Sequence, residues 1–356
     1  MRILVDVSPL SHPRTGIGNY LRGMVGGLAA AGIGRHEVVG FAPTSLRGPA
    51  RIRAALDSTG VRARLWPLPW SHAVRTGWSR LGHPAAERLV GRFDALFFSD
   101  WMYPPQRGGL RATVVHDLVP LHHPEWCTPR TVSMHSAKYE NAARTCDLVF
   151  ANSRYTADDV AATLGVPADR IVVAYPGLGS GYGPEGLRLE LDRPYVLGVG
   201  TLEPRKNLGA LVEAWRQLGG DLSLVLAGGA GWGDDERTAD DRIVKLGYVP
   251  DDELPRLYRG AAAFVYPSRL EGFGIPIVEA MACGTPVVAS SHASLDEAAG
   301  GVAIRADPER PEAIADGIEE ALARHVDLAA AGLEHAARFS WRSTAGTMLA
   351  ALEERA

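Results

Sequence analysis

Short apolar runs alternate along this chain with stretches in which apolar residues return every third or fourth position, the pattern of buried parallel strands joined by crossover helices. In the first half, RILVDVS (2–8), HEVVGFAP (36–43), ALFFSD (95–100), ATVVHD (112–117) and DLVFANS (147–153) read as strands, with helices over about 19–31, 129–145 and 156–164. The second half restarts the pattern. YVLGVGT (195–201), LSLVLAGG (222–229), IVKLGYV (243–249), AAFVYPS (262–268) and TPVVAS (285–290) read as strands, and helices fall near 207–218, 251–260, 276–283 and 308–324. Between the halves, YPGLGSGYGPEGLRLELDRP (175–194) is rich in Gly and Pro and poor in apolar pattern, which predicts a linker. The expected fold class is therefore α/β: two Rossmann-like doubly wound domains, 1–178 and 195–340, joined by a linker at 179–194. A cleft between them and ligands at the carboxyl ends of the strands follow from that architecture.

Composition supports this and adds an asymmetry. A chain of 356 residues can hold two full cores, since single cores seldom grow beyond about 250–300 residues. Hydrophobic residues at 46% and charged residues at 22% are those of a globular protein. Lys and Arg outnumber Asp and Glu by 20 to 13 in residues 1–180 and are outnumbered 17 to 28 in residues 181–356. A basic half joined to an acidic half points to domains with different partners. Cys127, Cys146 and Cys283 are scattered and match no zinc or disulfide spacing. No apolar signal core precedes the first strand, and no apolar run reaches the ~20 residues of a membrane helix. A cytoplasmic location is expected.

Five stretches carry candidate chemistry. In SHPRTGIGNY, Gly16 and Gly18 bracket a turn between the first strand and its helix, where main-chain N–H groups can face an anion, with Arg14 and Thr15 as further donors. A plain strand-to-helix turn is the alternative. In GVGTLEPRKN, Arg205 and Lys206 leave a strand and Asn207 can cap the next helix; the pair suits a diphosphate or is a solvated charge pair. In EGFGIPIVEA, the glycines flanking Phe273 permit close approach of a ligand, and Pro276 fits a first helical turn. Glu271 and Glu279 there are paired ligands for hydroxyl groups, or else a surface acid and a helix-dipole residue. In TVVHDLVPLHH, His116 and Asp117 leave a strand end; His122 and His123 match no metal signature. Finally, residues 47–92 hold nine arginines, among them Arg75 and Arg80, and only Asp57 and Glu87 as acids. Trp66, Trp70 and Trp78 interleaved with them could meet a membrane interface or an anionic acceptor. The plainer reading is a solvated helix with its Trp anchored in the core. The acidic whole and the absence of a binding motif argue against nucleic acid.

The order of these stretches is more specific than any one of them. TGIGNY, HDLVP, ANSRYTADDV, GTLEPRKN, LAGG, GYVPDDELPRLYRGA and EGFGIPIVEAMACGTPVV together resemble the retaining nucleotide-sugar glycosyltransferases of family 4, with the GT-B fold, especially bacterial mannosyltransferase-like members. The resemblance implies that Arg205 and Lys206 hold the donor diphosphate and that Glu279 binds ribose. It implies that Glu271 and the amides of Phe273 and Gly274 meet the transferred sugar, with Gly200 and Ile275 completing the donor set. Gly16 and Gly18 would approach the phosphates, His116 the sugar, and Tyr248 and Val249 the base. Asp117, Trp70, Arg75, Trp78 and Arg80 are the acceptor-side candidates, with peripheral membrane contact through 66–92 as one form of that reading. The family's last helix crosses back to the first domain, and about 341–356 is that helix. This chain departs from the pattern at YPGL, where Asn-Gly is common, and at Asp296, where Pro is usual.

The function implied is hexosyl transfer, first from GDP-mannose, to a saccharide, lipid-linked or small-molecule hydroxyl. UDP-glucose, UDP-GlcNAc and deoxysugar donors are alternatives. No acidic pair of the metal-binding kind ends a strand in the second half, so neither a metal nor another cofactor is expected. A glycoside hydrolase also uses two carboxylates but has no need of Arg205 and Lys206. A nucleotide-sugar epimerase and a non-catalytic binding protein are the remaining rivals.

Overall fold

The computed structural model describes residues 1–12, 16–98, 102–201, 203–229 and 240–356; Arg14 and Thr15 lie outside the described residues. The chain divides into two compact units, residues 1–177 with 339–356, and residues 178–338. The first unit is built on seven parallel strands, β1 (Arg2–Asp6), β2 (Glu37–Thr44), β3 (Arg62–Pro67), β4 (Ala95–Phe98), β5 (Leu110–Val115), β6 (Leu148–Ala151) and β7 (Ile171–Val173). Their order is β3-β2-β1-β4-β5-β6-β7. The order reverses between β1 and β4, so right-handed crossovers place helices on both faces. On one face, Leu21, Met24, Ile52, Met348 and Leu352 pack with Ile3, Val5 and Phe97. On the other, Trp78, Tyr139 and Val160 pack with Leu4, Phe98 and Val115. Alternate residues of each strand thus serve opposite cores, which explains the unbroken apolar runs.

The helix Trp341–Arg355 belongs to this first unit. It docks on the helix Gly16–Ala31 where Gly23 and Gly27 leave room for Trp341. A Cβ at Gly23 would lie 2.0 Å from the indole, and one at Gly27 would lie 2.4 Å from the Trp341 carbonyl oxygen. Tyr20 meets the same indole edge-on at 5.1 Å. Thr344 Oγ1 donates to the Tyr175 carbonyl at 2.6 Å and fixes the start of the last helix.

The second unit has six parallel strands, β8 (Tyr195–Val199), β9 (Ser223–Ala227), β10 (Ile243–Gly247), β11 (Ala263–Tyr266), β12 (Val287–Ser290) and β13 (Ile304–Ala306). They run β10-β9-β8-β11-β12-β13, with the reversal between β8 and β11. Leu211 and Trp215 from the helix Leu208–Gln217, and Ile314 and Ile318 from Pro311–Ala323, fill one core with Val196, Leu224 and Val265.

Several local expectations change. Strands β3, β7 and β13 and the helix Gly48–Leu56 went unpredicted. The first helix begins at Gly16, so Gly16 and Gly18 occupy its first turn and do not bracket a loop before it. Their N–H groups remain among the four that a helix start leaves without intrahelical partners. Asn207 does not cap the next helix with its side chain; it sits in the left-handed region at φ 53° and donates to the Pro308 carbonyl at 2.6 Å. The predicted linker is attached to the second unit from Leu178 onward. Arg259 donates to the carbonyls of Gly181 (2.7 Å), Gly183 (2.7 Å) and Leu187 (3.1 Å). Such main-chain fastening leaves no apolar trace in the sequence. Asp296, in place of the usual Pro, starts the short helix Asp296–Ala299 and pairs with Arg305 at 2.8 Å.

Candidate functional site

The ends of β8 and β11, neighbours at the reversal of the second sheet, bring the two most diagnostic stretches together. Such a reversal opens a crevice at the carboxyl ends of the strands. Arg205 and Lys206 lie in the single turn Pro204–Lys206, which is held by Arg269 N–H donating to the Arg205 carbonyl at 2.8 Å. Both side chains converge on Glu271: Arg205 Nη1 reaches Oε2 and Lys206 Nζ reaches Oε1, each at 2.6 Å. Tyr266 donates to Oε1 at 2.9 Å, and Ser268 Oγ donates to it as well. Burial opposes ionisation of Glu271, but the charges of Lys206 and Arg205 outweigh it, and the pKa falls to about 2. For Lys206, burial dominates over the nearby carboxylate and its pKa is lowered. Glu271 is therefore no surface acid. It is a buried anion that orients two cations at a strand end, with Gly200 backing onto the Lys206 stem.

Glu279 lies just beyond the first turn of the helix Ile275–Ala282. Its Oε2 accepts from the Tyr258 hydroxyl at 3.2 Å, and the Tyr182 hydroxyl also bonds to it. Burial raises its pKa to about 7, against the lowering effect of both hydroxyls, and the charge of Asp251 raises it further. The helix starts at Gly274, whose φ of 98° only glycine adopts without strain. A Cβ there would also lie 2.7 Å from Leu295 Cδ2. Phe273 is buried beneath this turn, and Ile275 opens the helix. Tyr248 and Val249 follow β10; Tyr248 is exposed and Val249 half-buried. Sequence reasoning missed Tyr182, Tyr258, Tyr266 and Ser268. All four stand inside stretches already singled out, but nothing in their spacing says that their hydroxyls face a carboxylate.

In the first unit, His116 follows β5 and meets the Tyr20 ring edge-on at 4.7 Å. Its Nε2 and the Tyr20 hydroxyl are both buried without hydrogen-bond partners among the described residues. Burial, then the charges of Lys138 and His135, push the imidazole down to about 3. His116 is thus neutral near pH 7 and offers a hydrogen bond without a charge. Asp117 accepts from the Val119 N–H at 3.1 Å. His122 and His123 part company: the first pairs with Asp159 at 2.8 Å, the second with Glu125 at 3.0 Å. Among the described residues no cluster of three or more His, Cys, Asp or Glu is placed to hold a metal.

The arginine- and tryptophan-rich segment follows the plainer reading. It forms a helix, Ser71–Leu81, whose Trp78 is buried beside Phe41 and donates to the Pro84 carbonyl. Arg75 is buried as well, donating to Ser8 Oγ at 2.7 Å and to Met102 Sδ at 3.4 Å. Neither residue is on the surface to touch an acceptor or a membrane, which corrects both assignments: they face the sheet, one turn apart. Trp70 and Arg80 are exposed. Among the described residues no helix is long and apolar enough to cross a membrane.

Comparison with known proteins shows what the chain is similar to. Residues 14–179 match the description glycosyltransferase family 4, and residues 184–339 match glycosyl transferases group 1. The chain is 32% identical to O-antigen chain mannosyltransferase B of Escherichia coli over 96% of its own length and 97% of that protein's. It is 34% identical to a D-inositol 3-phosphate glycosyltransferase of Mycobacteroides abscessus, over 57% of this chain and 51% of the other. Among solved structures, sucrose-phosphate synthase from Thermosynechococcus elongatus superposes with a TM-score of 0.75 at 20% identity, covering 100% of this chain and 99% of that one. Anabaena Alr3699/HepE in complex with UDP-glucose gives 0.72 at 17%, covering 99% and 100%.

Proposed function

Because this chain belongs to the family 4 glycosyltransferases with the GT-B fold, we propose that it transfers a hexose, mannose from GDP-mannose first, to a hydroxyl of a saccharide, lipid-linked or small-molecule acceptor. The Arg205–Lys206–Glu271 cluster carries the reading. A nucleotide-sugar donor leaves as a diphosphate while the sugar becomes cation-like. Cations aimed at the leaving phosphate stabilise that developing charge. Glu271 holds the pair in place before the donor arrives, and the diphosphate then takes over their N–H groups. Glu279 has two lone-pair directions left beside its tyrosine partners, enough for the cis-hydroxyls of a ribose. His116 of the first unit, being neutral, can supply a hydrogen bond without adding charge.

The reaction proposed is front-face displacement with retained configuration, a phosphate oxygen assisting deprotonation of the acceptor and no divalent ion required. The whole-length similarity to a mannosyltransferase favours mannose. The likeness to a chain solved with UDP-glucose makes that donor the second reading. A thermal-shift panel of GDP, UDP and dTDP identifies the base, since a true match raises Tm by mass action. Turnover with the matching nucleotide sugar should persist in EDTA, give the retained anomer, and fall about 100-fold or more in Lys206→Ala. An inverted product would refute the mechanism, and unchanged turnover in Lys206→Ala would refute the clamp.

A further inference from the structure

Between the helices Ser71–Leu81 and Pro129–Thr145 the first unit has an open cavity of about 180 Å³. The two helices follow β3 and β5 of the first sheet in the chain. The cavity's polar lining has one sign. Arg80 enters from one helix and Arg130 from the other, with His72, Thr76, Ser79 and Ser133 between them. Among the described residues no Asp or Glu lines it.

Two further facts mark it as more than a surface furrow. Neither Arg80 nor Arg130 has a hydrogen bond or ion pair with any described residue, so both guanidinium groups are available to an anion. Ser79 Oγ is buried without a hydrogen-bond partner among the described residues, and buried hydroxyls are normally satisfied by protein, water or ligand. Two uncompensated guanidinium forks and an orphaned hydroxyl are the donor set of a phosphate group.

We propose that this cavity is a phosphate subsite of the acceptor, holding a phosphate monoester or diester carried by the saccharide or its aglycone. The proposal rests on the glycosyl-transfer reading and adds an acceptor chemistry to it. The two arginines balance the charge of a monoester dianion, and Ser79 takes one of its oxygens. A sugar hydroxyl beyond that phosphate is the group to be glycosylated.

Calorimetric titration of the whole chain with octyl phosphate, octyl mannoside and inorganic phosphate tests this, beside an Arg80→Ala/Arg130→Ala double variant. Both side chains are exposed, so the variant should keep its fold and its nucleotide thermal shift. Octyl phosphate should saturate the wild type, bind more tightly than inorganic phosphate or octyl mannoside, and weaken roughly tenfold or more in the double variant. Equal binding in the double variant would overturn the site. Inorganic phosphate binding as tightly as octyl phosphate would make it a free-anion site and overturn the acceptor role. Arginine-dependent binding to phosphatidylglycerol vesicles without binding of octyl phosphate would make it a membrane contact and overturn it likewise. Failure of the transferase reading shows separately, as no thermal shift of the wild type with any nucleotide.

Discussion

Glu271 and Glu279 belong to one short stretch, yet their surroundings drive their ionisation apart. Glu271 has two cations within 2.6 Å and ionises at about 2; Glu279 has two phenols and ionises at about 7. Against an ordinary carboxyl at 4.5, the signs are opposite. Glu271 contributes stability above pH 4.5 that is lost as pH falls toward 2. Glu279 does the reverse: the folded chain holds its proton longer than the unfolded chain, so stability declines as pH rises from 4.5 through about 7. Glu279→Gln should remove that decline and raise Tm above pH 7, while weakening donor binding. In the wild type, donor affinity should climb as pH passes 7 and the carboxylate forms. Isothermal titration across pH with the matching nucleotide reads this directly. A flat profile would mean that the donor does not meet Glu279.

At the scale of elements, what a sequence displays depends on how an element is held. Strands buried on both faces announce themselves as apolar runs. β3, RARLWP, sits at the sheet edge with Arg62 and Arg64 outward, and β7 and β13 are three residues each, too short to show a period. In the helix Ser71–Leu81 the buried side of Arg75 was hidden, because Arg75 occupies an inward position that periodicity expects to be apolar. The charged half of the proposed donor site was conspicuous in the sequence, because Arg205, Lys206 and Glu271 interrupt weakly charged stretches just after strands. Its tyrosines were not, because a hydroxyl facing a carboxylate is fixed only by tertiary packing. Tyr182 is the extreme case, delivered to Glu279 by an irregular segment that Arg259 grips at three carbonyls. Arg259→Ala should cost about 1–3 kcal/mol in urea unfolding and raise the donor KM. Tyr182→Phe should reproduce the KM effect and shift its pH dependence upward, with less loss of stability. If Tyr182→Phe leaves both KM and its pH profile unchanged, the strap is structural only.

For the molecule as a whole, the first unit depends on a helix that lies far from it in sequence. Trp341 fits against Gly23 and Gly27, and through Tyr20 it supports the ring of His116. Gly27→Ala would press a methyl onto the main chain of Trp341 and should destabilise the first unit by about 1–3 kcal/mol. Gly26→Ala, whose Cβ would lie 3.4 Å from Thr59, should be near neutral. Calorimetry separates the two variants; equal transitions would show that the last helix is not tightly docked. The same arrangement governs how the protein is made. On the ribosome, strands β1 to β7 emerge early, but their covering helix follows only after residues 178–338, on the order of ten to thirty seconds later at typical elongation rates. In that interval Tyr20, Gly23 and Gly27 lack the Trp341 that packs on them in the finished chain. The domain written second is the first that can be finished.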